Sequence, residues 1–183
     1  MRLALAVQGG AAERQPLDLT LVVDRSGSMH NDNRMVYTKR GLRLMVDQLQ
    51  QGDRLDLVLF DDSVCTPLKN FVVGRDDMEL LTSTIQHISP RGSTDLDSGL
   101  RHAYGIQVER DDAAQRNRRV MLLTDALLNT GNVNVDLVAE VGKSFDEHGI
   151  RLTGVGVGKE FNDTMLNRLT EKGKGAYVFM GSE

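Results

Sequence analysis

Three small oxygen-bearing side chains, Asp24, Ser26 and Ser28, fall on alternate residues directly after the apolar run Leu19 to Val23. One carboxylate and two hydroxyls are hard oxygen donors, suited to Mg²⁺, Mn²⁺ or Ca²⁺ rather than to zinc. Two further donors of the same kind lie downstream. Thr94 sits in the stretch Gly92-Ser93-Thr94-Asp95-Leu96, and Asp125 closes Leu122-Leu123-Thr124-Asp125. Taken singly, Asp and Ser at such places form turns or cap helices. Three donor-bearing loops in one chain point instead to a bound cation.

Those donors need a scaffold that brings distant loops together. A Val- and Leu-rich run without polar alternation reads as a strand buried on both faces, as in a parallel sheet. Ligands of such sheets bind beyond the carboxyl ends of the strands. After the Asp24 turn, Met35, Leu42, Met45, Val46 and Leu49 recur at helical spacing and predict a helix over 33–50. Leu55 to Phe60 predicts a second strand ending at Asp61-Asp62, read as loop charges. Val64 to Leu68 with Phe71 to Val73 predicts an edge hairpin, because Pro67 cannot donate in a central ladder. A short helix follows over 76–87, with acidic residues in its first turn where the macrodipole favours them. Pro90 to Gly92 marks a loop, and Ser93 or Thr94 is the expected cap of a helix running to about Glu109. Asp95 and Asp97 fall in that helix's first turn. Arg110 to Arg118 reads as a charged loop and Val120 to Leu123 as a buried strand. Val135, Val138, Val141 and Phe145 mark a helix face; 150–157, 162–172 and 176–180 complete the chain as strand, helix and strand. The alternation predicts an α/β fold: a doubly wound, Rossmann-like, mostly parallel central sheet of about five parallel strands with one antiparallel edge strand, and helices on both faces.

The three loops together resemble the von Willebrand factor type A domain with its metal-ion-dependent adhesion site. That family's signature is Asp-x-Ser-x-Ser after the first strand, a Thr in a glycine-containing loop before a helix, and an Asp after a later strand. Here these are Asp24-Arg25-Ser26-Gly27-Ser28, Thr94 and Asp125. The resemblance runs from about Leu17 to Met180 and is greatest to bacterial type A domains and to the heavy chains of inter-alpha-trypsin inhibitor. It implies that Ser26, Ser28 and at times Thr94 contact the metal directly, while Asp24 and Asp125 act mostly through water. It implies Mg²⁺ as the ion, with Mn²⁺ or Ca²⁺ as substitutes. The partner it implies is a protein that supplies a Glu or Asp carboxylate to the metal. Residues 17–183 would form this domain. Arg2 to Gln8, a short strand, and the linker Gly9 to Pro16 would form an arm or the remnant of a flanking domain.

Composition narrows the alternatives. The chain has 183 residues, 40% hydrophobic and 26% charged, which is ordinary for one globular domain. A net charge of −4 argues against electrostatically driven nucleic-acid binding. The single cysteine, Cys65, permits neither an internal disulfide nor a cysteine metal cluster and reads as a plain thiol. No stretch reads as a transmembrane span, and Met1 to Val7 is too short for a signal-peptide core. A monomer is expected. The compartment stays open: cytoplasmic or, within a longer protein, periplasmic or at the cell surface. His30 reads as a solvated loop residue. Gly154-Val155-Gly156-Val157-Gly158 lies in a late strand and reads as close packing, not a nucleotide loop. The competing functions are an Mg²⁺ phosphotransfer or phosphatase domain and a metal-free scaffold. Ser26 stands where the haloacid-dehalogenase-like pattern needs a second acid, and a receiver-like domain needs paired acids where only Asp24 stands. The expectation is therefore a non-enzymatic binding module. The surface deciding its partner would comprise Arg25, Met29, His30, the Arg91 loop and Leu127 to Asn132.

Overall fold

Six strands form one sheet: β1 (Leu17–Asp24), β2 (Arg54–Phe60), β3 (Val64–Val72), β4 (Asn117–Thr124), β5 (Arg151–Val157) and β6 (Tyr177–Met180). The computed structural model describes residues 14–110, 115–126, 135–158, 162–172 and 175–180. The expected strand Arg2 to Gln8, the loop Leu127 to Asn132 and the side chains of Val135 and Val138 lie outside what is described. The strand order is β3-β2-β1-β4-β5-β6. Every neighbouring pair is parallel except β2 and β3, so five parallel strands carry one antiparallel edge strand, as expected.

Alternate residues of β1 point to opposite faces and both faces are buried. Leu19, Leu21 and Val23 pack under α1 (Arg34–Val46) and α2 (Met78–Gln86), with Met35, Leu42, Leu81 and Ile85 closing that layer. Val22 faces the other layer, built with α3 (Leu96–Val108), α4 (Val135–Glu147) and α5 (Asp163–Lys172) through Leu100, Ala103, Phe145 and Leu166. From β1 the chain steps outward to β2 on one side and to β4 on the other. That reversal opens a crevice at the carboxyl ends of β1 and β4, where doubly wound sheets bind ligands.

The structure differs from the sequence expectations in three places. The helix expected over 33–50 is α only over Arg34–Val46, and the 3-10 segment Gly27–Asn33 before it ends with Asp32 and Asn33 at φ 48° and 57°. Asp and Asn are among the few non-glycine residues that tolerate this left-handed turn, after which α1 starts at Arg34, within a residue of the expected start. At its other end, Gln48 and Leu49 donate to carbonyls three residues back, tightening the chain out of α geometry after Val46, although Leu49 still packs on the core. The expected edge hairpin is a single strand, β3, with two register shifts against β2. Asn70, at φ 58°, makes the bend that separated its two apolar runs in sequence. Finally, neither Ser93 nor Thr94 caps α3. Asp95 does, accepting from the Ser98 amide at 3.1 Å.

Candidate metal centre

Register alone brings three loops together. Val23 pairs with Leu59 on one side and Leu123 on the other, so the residues after β1, β2 and β4 emerge side by side at the roughly 4.8 Å spacing of neighbouring strands. Asp24 ends β1, Asp61 follows β2 and Asp125 follows β4. The loop before α3 is stitched to them. The Gly27 amide donates to the Gly92 carbonyl at 3.0 Å, the Arg91 amide to the Arg25 carbonyl at 2.6 Å, and the Asp95 amide to the Asp61 carbonyl at 2.8 Å. A Cβ on Gly27 would stand 3.2 Å from the Gly92 oxygen, so glycine permits that approach. The five residues singled out in sequence thus lie on loops of one end of the sheet. Asp24, Thr94 and Asp125 are fully buried, Ser26 nearly so and Ser28 half-buried.

Within this end, the Asp24 carboxylate accepts from the Ser26 amide at 2.8 Å through Oδ1 and from the Thr124 hydroxyl at 2.6 Å through Oδ2. The Ser26 and Ser28 hydroxyl oxygens are 3.1 Å apart. Asp125 Oδ2 accepts from Arg34 Nη1 at 2.6 Å. Ala126 follows at φ 59°, a conformation that costs an alanine on the order of 1–2 kcal/mol, and its amide donates to the Thr124 hydroxyl at 2.8 Å. Burial pushes the Asp24 carboxyl up to about 6. Hydrogen bonds from Thr124 and Ser26 pull it down, and the Asp125 carboxylate adds to the push. A buried carboxylate in that condition fits a cation. Among the described residues no three His, Cys, Asp or Glu side chains converge as a metal cage. Such an ion would therefore draw on hydroxyls and water as well as the two carboxylates, a hard-oxygen set of the kind Mg²⁺ and Mn²⁺ accept.

Two expectations about neighbouring residues need correction, and one residue was missed. Asp61 is not a loop charge. It is fully buried, with Arg25 Nε at 2.7 Å and Arg91 Nε at 2.6 Å from Oδ2, and it accepts from the Ser63 hydroxyl at 2.7 Å. Burial alone would raise its carboxyl; the hydrogen bonds from Arg91 and Ser63 outweigh that and hold it well below the usual carboxylate range. The sequence signal was Asp61-x-Ser63, which repeats Asp24-x-Ser26. In both, the Ser amide donates to Asp Oδ1 at 2.8 Å. Met29 is fully buried and takes no part in the rim, whereas His30 is exposed as expected. Arg34 was not anticipated at all. Its signal was a cation in the first turn of a helix, where the macrodipole disfavours one. Gly154 of β5 does serve packing: a Cβ there would come within 2.8 Å of Thr170 Cγ2 on α5.

Comparison with known proteins agrees with this architecture. The von Willebrand factor type A domain family matches residues 18–183. An uncharacterized Escherichia coli K12 protein, YfbK, is 27% identical over 179 residues, covering 96% of this chain and 30% of its own length. Inter-alpha-trypsin inhibitor heavy chain H3 of Mesocricetus auratus is 26% identical over 167 residues, covering 87% and 18%. The chain thus spans less than half the length of these curated relatives. Among solved structures, the conserved hypothetical protein BatB from Bacteroides thetaiotaomicron superposes with a TM-score of 0.76 at 19% identity, covering 91% of each chain. Proximal thread matrix protein 1 from the mussel byssus, with a zinc-occupied MIDAS motif, gives 0.72 at 18% identity over 90% of this chain and 41% of that one. The manganese-loaded TRAP protein of Plasmodium vivax gives 0.69 at 21% identity over 85% and 62%. At these identities the structural likeness carries the fold.

Proposed function

The chain belongs to the von Willebrand factor type A domain family, and from that premise we propose that it is a non-enzymatic, divalent-cation-dependent protein-binding module whose metal sits among Asp24, Ser26, Ser28, Thr94 and Asp125. The observation that carries this reading is the fully buried Asp24, pushed up to about 6 beside a second buried carboxylate and two adjacent hydroxyls at the topological switch point. Zinc and manganese in two structural neighbours support a divalent ion in this fold. The hard donor set favours Mg²⁺ or Mn²⁺ here, with Ca²⁺ as an alternative.

In this reading Ser26, Ser28 and Thr94 present neutral hydroxyls, while Asp24 and Asp125 hold the waters around the ion. When bound, the cation supplies a positive centre whose charge the hydroxyls leave unquenched, attractive to a carboxylate from a partner protein. The adhesion or assembly in which such a module takes part belongs to the longer proteins its relatives represent. Among the described residues no helix is long and apolar enough to cross a membrane.

A thermal melt tests the reading. Mg²⁺ or Mn²⁺ should raise the midpoint of the wild-type chain relative to EDTA, in proportion to saturation, and Asp24→Ala should abolish the rise. Added acetate should enlarge the shift only when metal is present. Equal midpoints in metal and EDTA, with and without acetate, would sink the proposal.

A further inference from the structure

Arg34 opens α1 and is 2% exposed. Its Nη1 lies 2.6 Å from Asp125 Oδ2 and 3.4 Å from the Ser28 carbonyl, so one guanidinium touches two of the loops that carry the candidate metal donors. Its stem runs along the end of β5. There a Cβ on Gly158 would come within 2.7 Å of Nε, and Gly158 itself adopts φ +89°. The other carboxylate near it, Asp32, stands 3.8 Å away with a side chain 75% exposed, where solvent screens the pair. A guanidinium taken out of water is expensive, and a methionine would pack in similar space at far lower cost. The preceding left-handed Asp32-Asn33 turn is a further constraint borne at the position that aims this side chain.

We propose that Arg34 is a built-in counter-cation that divides the site's binding between metal and anion: it weakens the hold on the divalent ion and strengthens the hold of the loaded site on a partner carboxylate. The inference rests on the metal reading above and adds a specificity-determining residue to it. A fixed positive charge beside Asp125 repels an incoming divalent ion. Once that ion is bound, the same charge adds to the field drawing in an anion, because it offsets donor charge that would otherwise quench the metal. The metal and the anion attract each other and so bind cooperatively; Arg34 shifts the total toward the anion's share and away from the metal's. A purely structural Arg34 would instead stabilise the fold and leave both affinities alone.

The test uses the full chain as wild type, Arg34→Gln and Arg34→Lys. Mn²⁺ affinity is measured by calorimetry, acetate affinity by titration of the Mn²⁺-saturated protein, and folding by circular dichroism. Arg34→Gln should bind Mn²⁺ on the order of ten- to a hundredfold more tightly, the scale of a unit charge about 3–6 Å from a divalent ion when solvent and the Asp125 carboxylate screen the pair to an effective dielectric of about 80. It should bind acetate several-fold more weakly, and Arg34→Lys should stay near wild type in both. If Arg34→Gln folds only with metal, the same tightening appears as a larger Mn²⁺ thermal shift than in wild type. Unchanged or weaker Mn²⁺ affinity in Arg34→Gln overturns the inference while leaving the metal reading intact. So does an Arg34→Gln chain that is unfolded with or without metal beside a folded Arg34→Lys. Wild type and Arg34→Gln both blind to Mn²⁺ would overturn the metal reading and this inference with it.

Discussion

Strand β1 carries a fully buried aspartate at each end, and the two are treated in opposite ways. At the start of the strand, Asp18 receives Arg54 at 2.5 Å and also Arg110. Arg110 reaches on to Asp56 at 2.5 Å, and Asp56 accepts from the Thr20 hydroxyl at 3.2 Å and the Asn70 amide at 2.8 Å. Gln107 of α3 closes the cluster by donating to the Thr20 hydroxyl at 2.8 Å. Two carboxylates there meet two guanidiniums. At the other end, the hydrogen bonds recorded for Asp24 come from neutral donors, an amide and a hydroxyl, and a second carboxylate lies close enough to raise it. The strand lends both aspartates the same burial; only the partners differ. Of these two, Asp18 with its full counter-charge is a structural joint, whereas Asp24, held by dipoles, offers a place for an ion from outside.

The sharpest way to break this contrast is to open the joint. Arg110→Ala strips the shared cation from Asp18 and Asp56, and breaking a buried pair by removing one partner costs about 3–5 kcal/mol. Urea denaturation should show a loss of that size, with the Mn²⁺ thermal shift unaltered because the metal donors sit at the far end of β1. A loss below about 1 kcal/mol, on the scale of a surface pair, would mean that the lower cluster is not the closed circuit described.

A smaller effect separates the two ends by pH. The Asp24 carboxyl is at about 6 in the fold against an ordinary value of 3.8, so between those values the native state holds a proton that the unfolded chain has released. Stability of the metal-free protein should therefore fall as pH rises from about 4 to 6, by on the order of 2–3 kcal/mol from this group, and then level off. Asp24→Asn should remove that slope and make the protein in EDTA more stable than wild type at pH 7.5, while abolishing the metal shift. Urea midpoints at pH 4.5 and 7.5 for both proteins check it. A wild-type slope that survives in Asp24→Asn belongs to another group.

How much of this was legible in the sequence follows from the range of the forces involved. The apolar runs and their spacing predicted the layered α/β fold with its antiparallel edge, because burial on one or two faces is written locally in residue type. The positions of Asp24, Ser26, Ser28, Thr94 and Asp125 at one end of the sheet followed from the rule that strand ends converge. The buried charges did not follow. Asp18 and Asp56 sit inside strands, and their partner Arg110 is 92 residues from one and 54 from the other. Asp61 resembled a loop acid because Arg91, which holds it, comes from a separate loop 30 residues on. Such pairings are long-range, and only the register of the sheet brings them together. Met29 shows the converse: a methionine in a polar loop can be read as core filler or as rim, and the 3-10 turn that folds it inward makes it core.

The finest division lies between adjacent residues of one loop. Asp95 accepts from the Ser98 amide at 3.1 Å and the Ser98 hydroxyl at 2.8 Å, which is a capping geometry worth about 1 kcal/mol when truncated to alanine. Thr94 stands one residue earlier, fully buried, and does not cap the helix. Asp95→Ala should therefore lower stability by roughly 1 kcal/mol and leave the Mn²⁺ shift at its wild-type value. Thr94→Ala should diminish the Mn²⁺ shift while α3 keeps its cap. The reverse assignment, with the shift lost in Asp95→Ala and kept in Thr94→Ala, would move the boundary between fold and site by one residue and put the donor on the helix itself. The side chains argue for the first outcome, because a carboxylate already bonded to the amide and hydroxyl of Ser98 would give up those helix contacts to turn toward an ion.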